Sequence, residues 1–392
     1  MNVLFVTSSD PRITTAGYSQ RTNLLWEALK EHSRVYTIVY DETHVGLPML
    51  IKGDNPIFIF NPELKKHASK ARCFFHRLSG YLTGIIYSST PFPSDYRIED
   101  IYNDIDFDIV VSRYIHIPAR YHFWNVAPLI VDVDDHPLQV FETIRKYHVP
   151  LILRPFARFL LRKQLGVLME KVEIGWVSNQ FHVDTLSSKF IYLPNVPYHL
   201  NECYRPNYAG RKYLFTIGLM DYEPNYKGVD TFLSTIWPLF HEKYPNIEYL
   251  IGGKNAPVEY VQKWQQNDGV KYVGYVEDLS TAYECCLAAV VPIYSGSGTC
   301  IKVLEAMSYS RVCISTPFGA RGFTKDHLSG DNGLMIFNDA SEFIKAFESI
   351  ANVDRRTYLE SKARLFIDNN YSYSTFKSIV FNAICSYNSA NK

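Results

Sequence analysis

The chain has 392 residues, 47% of them apolar, with 40 basic and 40 acidic side chains and a formal net charge of zero. That length predicts two domains with ample core material, and the charge balance argues against a nucleic-acid binder driven by bulk electrostatics. Seven scattered cysteines with no CxxC pair and no His/Cys ligand spacing exclude a disulfide framework and a zinc module.

Residues 2–7 are rich in β-branched side chains and predict a first strand. A polar, glycine-containing loop over 8–17 follows, then a helix over 19–31 and a strand over 35–40. This β–loop–α–β opening is that of a doubly wound parallel sheet. Strands over 57–60, 109–112, 129–133 and 174–178 continue it, with helices over 65–77 and 152–171. Polar residues 201–211 read as a linker. A second βα series then runs through strands over 213–218, 248–252, 270–273, 288–292, 312–316 and 334–337. Its helices fall over 228–243, 258–267, 278–286, 302–309 and 341–351. The 29 tyrosines and 24 phenylalanines serve core packing or aromatic walls for sugar or lipid. The opening residues lack the pattern of a secretory signal, and no apolar run nears the ~18 residues of a membrane span. The expectation is a cytoplasmic protein.

The most informative segment is 295–307, SGSGTCIKVLEAM. It follows an apolar strand, LAAVVPIY, and its Gly296, Ser297, Gly298 and Thr299 form a small-residue turn before a helical pattern. A strand, a glycine turn and a helix start make an anion site, because free backbone N–H groups and the helix dipole point at its occupant. Lys302 adds a full positive charge, and Glu305 is placed to accept hydrogen bonds from sugar hydroxyls. Phosphate beside a polyol describes a nucleotide.

With these motifs in order the chain resembles the GT-B glycosyltransferases, specifically the retaining family 4 (glycosyl transferases group 1). The matching pieces are GLMDYEPNYKG over 218–228, YLIGG over 249–253, VGYVEDL over 273–279, the "G-x-G-x-x-x-K-x-L-E-A-M" segment over 296–307, STPFGARG over 315–322 and YSYSTF over 371–376. The resemblance implies two Rossmann-like domains facing across a cleft: an acceptor domain over 1–200, a nucleotide-sugar donor domain over 201–366, and a closing helix over 367–392 that crosses back to the first domain. It implies a UDP- or GDP-linked sugar as co-substrate, no metal or other cofactor, and a glycan or lipid-linked saccharide acceptor in cell-surface polysaccharide synthesis. A weakened binding or scaffold protein, or a nucleotide-sugar epimerase, is the alternative.

Residue by residue, the resemblance assigns Glu305 to the ribose hydroxyls, Gly298 and Thr299 to the diphosphate, and Lys302 to the charge developing on the leaving group. Gly17 and Gly218 are loop glycines beside the donor. The family's first glutamate is Ser297 here, and its arginine after Gly218 is Leu219. Lys302, with Lys227 or Arg321, is expected to replace that arginine. In the first domain, His116 stands where several members carry a histidine near the transferred sugar. Arg21 either touches the acceptor or lies on the surface. Asp132, Asp134, Asp135 and His136, in IVDVDDHP, line the acceptor side or cap the next helix, with Asp134 or Asp135 orienting an acceptor hydroxyl; the metal-binding D-x-D reading of the GT-A fold is rejected. The basic, apolar stretch 145–171 suggests peripheral attachment to an anionic membrane on its inner face.

Overall fold

The computed structural model describes residues 1–14, 17–62, 70–85, 87, 91, 96, 98–103, 105–143, 145–198, 211, 213–296, 299–323, 326–328 and 331–390. The expected linker lies outside them apart from Arg211. The chain divides into two units, Met1–Pro194 with Phe376–Lys392, and Asn195–Thr375. Each is a parallel-sheet α/β domain, and the closing helix Tyr373–Ala390 falls mostly in the first.

The first unit has eight strands: β1 (Asn2–Thr7), β2 (Arg34–Tyr40), β3 (Met49–Ile51), β4 (Ile57–Phe60), β5 (Ile109–Arg113), β6 (Leu129–Asp134), β7 (Val172–Val177) and β8 (Phe190–Tyr192). Their order is β3-β4-β2-β1-β5-β6-β7-β8, and only β3 runs antiparallel, against β4. β1 and β5 are buried almost without interruption, as strands covered on both faces must be.

At the ends of β5 and β6 lies a buried charge network. Asp132 and Arg113 are wholly buried and Arg21 nearly so. Arg21 grips Asp132 through two bonds of 2.9 Å and donates to the Leu193 and Pro194 carbonyls at 3.1 Å each. Arg113 lies 3.2 Å from Asp132 and donates to Asp134 at 2.8 Å. Neither expectation for Arg21, acceptor contact or surface residue, holds. Its guanidinium ties the helix Gly17–Lys30 to β6 and to the end of the first unit.

The second unit has six strands: β9 (Tyr213–Ile217), β10 (Glu248–Gly252), β11 (Val270–Gly274), β12 (Cys286–Val291), β13 (Cys313–Ser315) and β14 (Leu334–Ile336). They are all parallel, in the order β11-β10-β9-β12-β13-β14. Much of the aromatic content packs here: Phe232, Trp237, Phe240, Tyr249, Phe343 and Phe347 form one buried cluster with mostly tilted and edge-on rings. For these side chains the use is core packing.

The expected helix over 228–243 is two helices, Glu223–Thr235 and Trp237–Lys243. Pro224 fits the first turn, where no N–H is needed, and Pro238 forces the break at Ile236.

Asp132→Ala leaves two buried guanidinium groups without their shared carboxylate. It should cost about 3–5 kcal/mol of stability, read by urea unfolding. Burial raises the Asp134 carboxyl, but Arg113, Arg21 and hydrogen bonds from Arg113 and Ser178 hold it below the usual carboxylate range. A lowered value stabilises above the unfolded pKa, so this contribution should be present above pH ~4 and vanish as the pH falls through the folded value.

Candidate nucleotide-sugar site

In the second sheet the chain order reverses beside β9, with β10 on one side and β12 on the other. At such a point the loops leaving neighbouring strands splay apart, which leaves room for a ligand at the strands' C-terminal edge. The helix Glu223–Thr235 follows β9, and the helix Ile301–Ser308 follows β12.

The exit of β9 is crowded by backbone. A Cβ on Gly253, at φ +139°, would come 1.8 Å from the Gly218 carbonyl oxygen. A Cβ on Gly218 would come 2.5 Å from Lys302 Cε. The lysine stem therefore lies directly over Gly218, so residues 84 positions apart in sequence meet at one point. The loop is pinned by Met220, whose N–H donates to the Lys254 carbonyl at 2.9 Å, and by Asn225, whose amide donates to the Leu219 carbonyl at 2.6 Å. Lys302 is half-buried, and its ammonium has no hydrogen-bond or ion-pair partner among the described residues.

The helix Ile301–Ser308 starts after Cys300, whose side chain caps no backbone N–H. Glu305 follows one turn along, half-buried, and accepts a 2.9 Å hydrogen bond from the Tyr283 hydroxyl. Tyr283 is wholly buried and stacks on Tyr309 at 4.7 Å. Burial first, then the charge of Glu305, drives its phenol well above the ordinary value, so it stays a donor. Thr299 is buried, and a Cβ on Gly322 would come 2.7 Å from its hydroxyl. A Cβ on Gly296 would lie 3.3 Å from the Tyr222 hydroxyl and 3.6 Å from an Arg321 guanidinium nitrogen, which places both side chains beside the loop. Arg321 also donates to the Phe318 carbonyl at 2.8 Å and lies over that ring.

Gly218, Gly296, Thr299, Lys302, Glu305 and Arg321 thus lie on the loops and helix start at this edge. Ser297 and Gly298 fall outside the described residues. Lys227 does not join the group. It is on the exposed face of the helix Glu223–Thr235, in an ion pair with Glu223 one turn away. Tyr283 and Asn225 were not foreseen, because nothing in their local sequence marks them; Tyr283 is found only once β12 and its neighbouring helices are folded.

In the first unit the order reverses between β2 and β5, at β1. Gly17 begins the helix after β1, and Ala16 of its loop lies outside the described residues. Beyond β5, Tyr114 holds φ +70°, and Asp134 at the end of β6 holds φ +62°. Left-handed backbone at two non-glycine strand exits is a strained arrangement of the kind that clusters at functional edges. His116 begins the helix His116–Tyr121 and stacks on Tyr114 at 5.5 Å. Desolvation, then the Arg120 and Arg113 cations, push its imidazole below the ordinary value. The ring is exposed at the surface, so the two cations are the firmer cause. Asp135 is half-buried just beyond Asp134, whereas Asp132 and Asp134 are engaged by arginines, which removes Asp134 from orienting an acceptor hydroxyl. His136 is largely buried, and its ring accepts from the Leu138 N–H at 3.0 Å at the start of the next helix.

Residues 211–352 match the family model described as Glycosyl transferases group 1. No curated protein matches the chain by sequence. Among solved structures, sucrose-phosphate synthase from Thermosynechococcus elongatus is similar over 99% of this chain and 99% of its own, at 13% identity and a TM-score of 0.70. Alr3699/HepE from Anabaena, solved with UDP, is similar over 98% and 100%, at 11% identity and a TM-score of 0.62. The α,α-trehalose 6-phosphate synthase from Burkholderia multivorans is similar over 100% and 97%, at 10% identity and a TM-score of 0.63. The chain has the two-domain GT-B fold of glycosyltransferases, and its second unit carries a glycosyl transferases group 1 domain.

Tyr283→Phe removes one hydrogen bond to a carboxylate without emptying the core. Nucleotide affinity by calorimetry should fall about tenfold, from a bond to a charged group of about 1.5–3 kcal/mol, while the fold stays intact. For His116, NMR titration should give a pKa below the ordinary 6.5, and Arg120→Gln should move it back up.

Proposed function

We propose that the chain is a retaining, metal-independent glycosyltransferase that moves a hexose from a nucleotide-diphosphate sugar to a glycan or lipid-linked saccharide of the cell surface. The observation that carries this reading is Lys302, half-buried and without an ion-pair partner among the described residues, its stem held over Gly218 beside an uncapped helix start, with Glu305 one turn further on. A cation held in place with no partner among the described residues is poised for an anionic ligand, which supplies the opposite charge.

In this reading the diphosphate sits at the start of the helix Ile301–Ser308, where backbone N–H groups and the dipole meet it. Glu305, fixed by Tyr283, accepts from the ribose hydroxyls. Lys302, with Arg321 beside the same loop, neutralises charge as the bond to the sugar breaks, so positioned charge does the work of a leaving-group acid. Lys227, ion-paired with Glu223, has no part in it. In the first unit His116, neutral at pH 7 and so able both to donate and to accept, and Asp135, just beyond β6, are the candidates for handling the acceptor. The acceptor proton passes to the departing phosphate oxygen on the same face, which retains the anomeric configuration. UDP is the first nucleotide to test, since a similar structure was solved with it.

A thermal-shift screen should show UDP or GDP raising the melting temperature, because a ligand of the native state stabilises it. Lys302→Ala should lower turnover about 10²–10³-fold, and Glu305→Gln should weaken the nucleotide's effect. Normal transfer by Lys302→Ala, or no stabilisation by any nucleotide, overturns the reading.

A further inference from the structure

The first unit carries an exposed apolar surface that its own core does not use. On the helix Lys70–Thr83, Phe74 and Phe75 are exposed, Phe75 by 66%. On the segment leading into and along the helix Arg154–Lys171, Leu151, Ile152, Phe156 and Phe159 are exposed, Ile152 by 86%. Scattered exposed side chains need no explanation, but six large ones on two adjoining elements do.

The two elements are fastened to each other. Gln164 donates to the Ser79 hydroxyl at 2.8 Å, Arg145 donates to the Gly80 carbonyl at 2.6 Å, and the Tyr81 hydroxyl donates to the His148 carbonyl at 2.9 Å. The elements that carry the exposed apolar side chains are therefore held together.

Its charge is one-sided. Residues 144–169 hold six arginines and lysines and no aspartate or glutamate, and the helix Lys70–Thr83 holds no acid either. In a chain of zero net charge this is a local segregation. Arg158 is paired with Glu142 from outside the stretch. Arg77, Arg162 and Lys163, however, are exposed and have no ion-pair partner among the described residues.

We propose that this face docks on an anionic lipid bilayer, with Phe74, Phe75, Leu151, Ile152, Phe156 and Phe159 entering the headgroup boundary and Arg77, Arg162 and Lys163 meeting lipid phosphates. Aromatic and aliphatic tips among unpaired cations match the two properties of such a surface, an apolar interior under a negative layer. A second copy of the chain is a poor occupant, because a two-fold contact would set the same cations against each other. No helix among the described residues is long and apolar enough to cross a membrane, so the attachment is peripheral. The sequence stretch 145–171 pointed here, but the helix Lys70–Thr83 joins it only in the fold. The inference is independent of the glycosyl-transfer reading.

The test is co-sedimentation of the full chain with phosphatidylcholine vesicles containing about 30% phosphatidylglycerol, against pure phosphatidylcholine, at low and high salt. Binding should require the anionic lipid and weaken with salt. Phe75→Ser with Ile152→Ser and Phe159→Ser, and separately Arg162→Glu with Lys163→Glu, should each reduce it at least about tenfold. All five side chains are exposed, and unchanged thermal unfolding verifies that the variants fold. Failure to bind anionic vesicles, equal binding to neutral ones, or variants that bind as the parent does would overturn the proposal. So would self-association of the parent abolished in the apolar variant. Nucleotide-induced stabilisation, measured on the same samples, tests the donor site separately.

Discussion

At the exit of β9 the backbone of Gly218 meets the backbone of Gly253 and the stem of Lys302 in space that a single methyl group would fill. The candidate donor site depends on this close approach. Three strands contribute to it: β9 supplies the floor, β10 supplies Gly253 at its end, and β12 leads to the helix that carries Lys302 and Glu305. Because the strands are parallel, all three exits fall at one edge, and because the order reverses at β9, the helices that follow β9 and β12 leave that edge open. A side chain at position 218 would push the lysine away from the amide-rich helix start, and the positive charge would no longer be added to the dipole.

The first unit solves a different problem with charges of its own. Its acidic cluster looks, in sequence, like chemistry at a strand end. In the fold, Asp132 is a wholly buried hub between Arg21 and Arg113, and Asp134 continues the chain of pairs. Such a network is weak evidence for stability, since desolvating four charges offsets much of their attraction. Its clearer effect is geometric: it ties the helix after β1 to the ends of β5 and β6, next to the left-handed residues Tyr114 and Asp134. An equivalent device in the second unit joins Arg311 to Glu360 at 2.7 Å, with Arg211 on the same carboxylate.

Most of the fold was legible because buried parallel strands are continuous β-branched runs, and β1, β2, β5, β6 and β12 have that form. The helix Ile301–Ser308 was legible because a run of small residues before an apolar helical period marks its start. What escaped notice has a common cause. The helix Val353–Asn370 buries Arg356 and Glu360 along with Leu359, Ala363 and Ile367, so no apolar period marks it. Arg21 looks like a surface residue until β6 delivers a carboxylate to it. Lys227 fits the family spacing, but three residues of helix start, Glu223, Pro224 and Asn225, turn it to the solvent side. In each case the deciding partner lies far away in sequence.

Net charge proved the least informative number in the chain. A total of zero excluded binding driven by bulk charge, yet it includes a local excess of cations over 144–169. In the first unit the cations of 144–169 gather beside exposed aromatic rings, while the carboxylates of Asp132 and Asp134 lie inside, each matched to an arginine. In the second, several exposed charges are neutralised locally, as in Lys243 with Glu348, Lys263 with Asp230 and Lys271 with Glu248. Locally paired cations contribute little to any field beyond a Debye length, whereas unpaired ones keep theirs. Lys302 at a strand edge and Arg77, Arg162 and Lys163 near exposed apolar side chains are among the cations without an ion-pair partner in the described residues, and the proposed donor site and membrane face rest on them. The first has the confined geometry of a small ligand and the others the breadth of a surface.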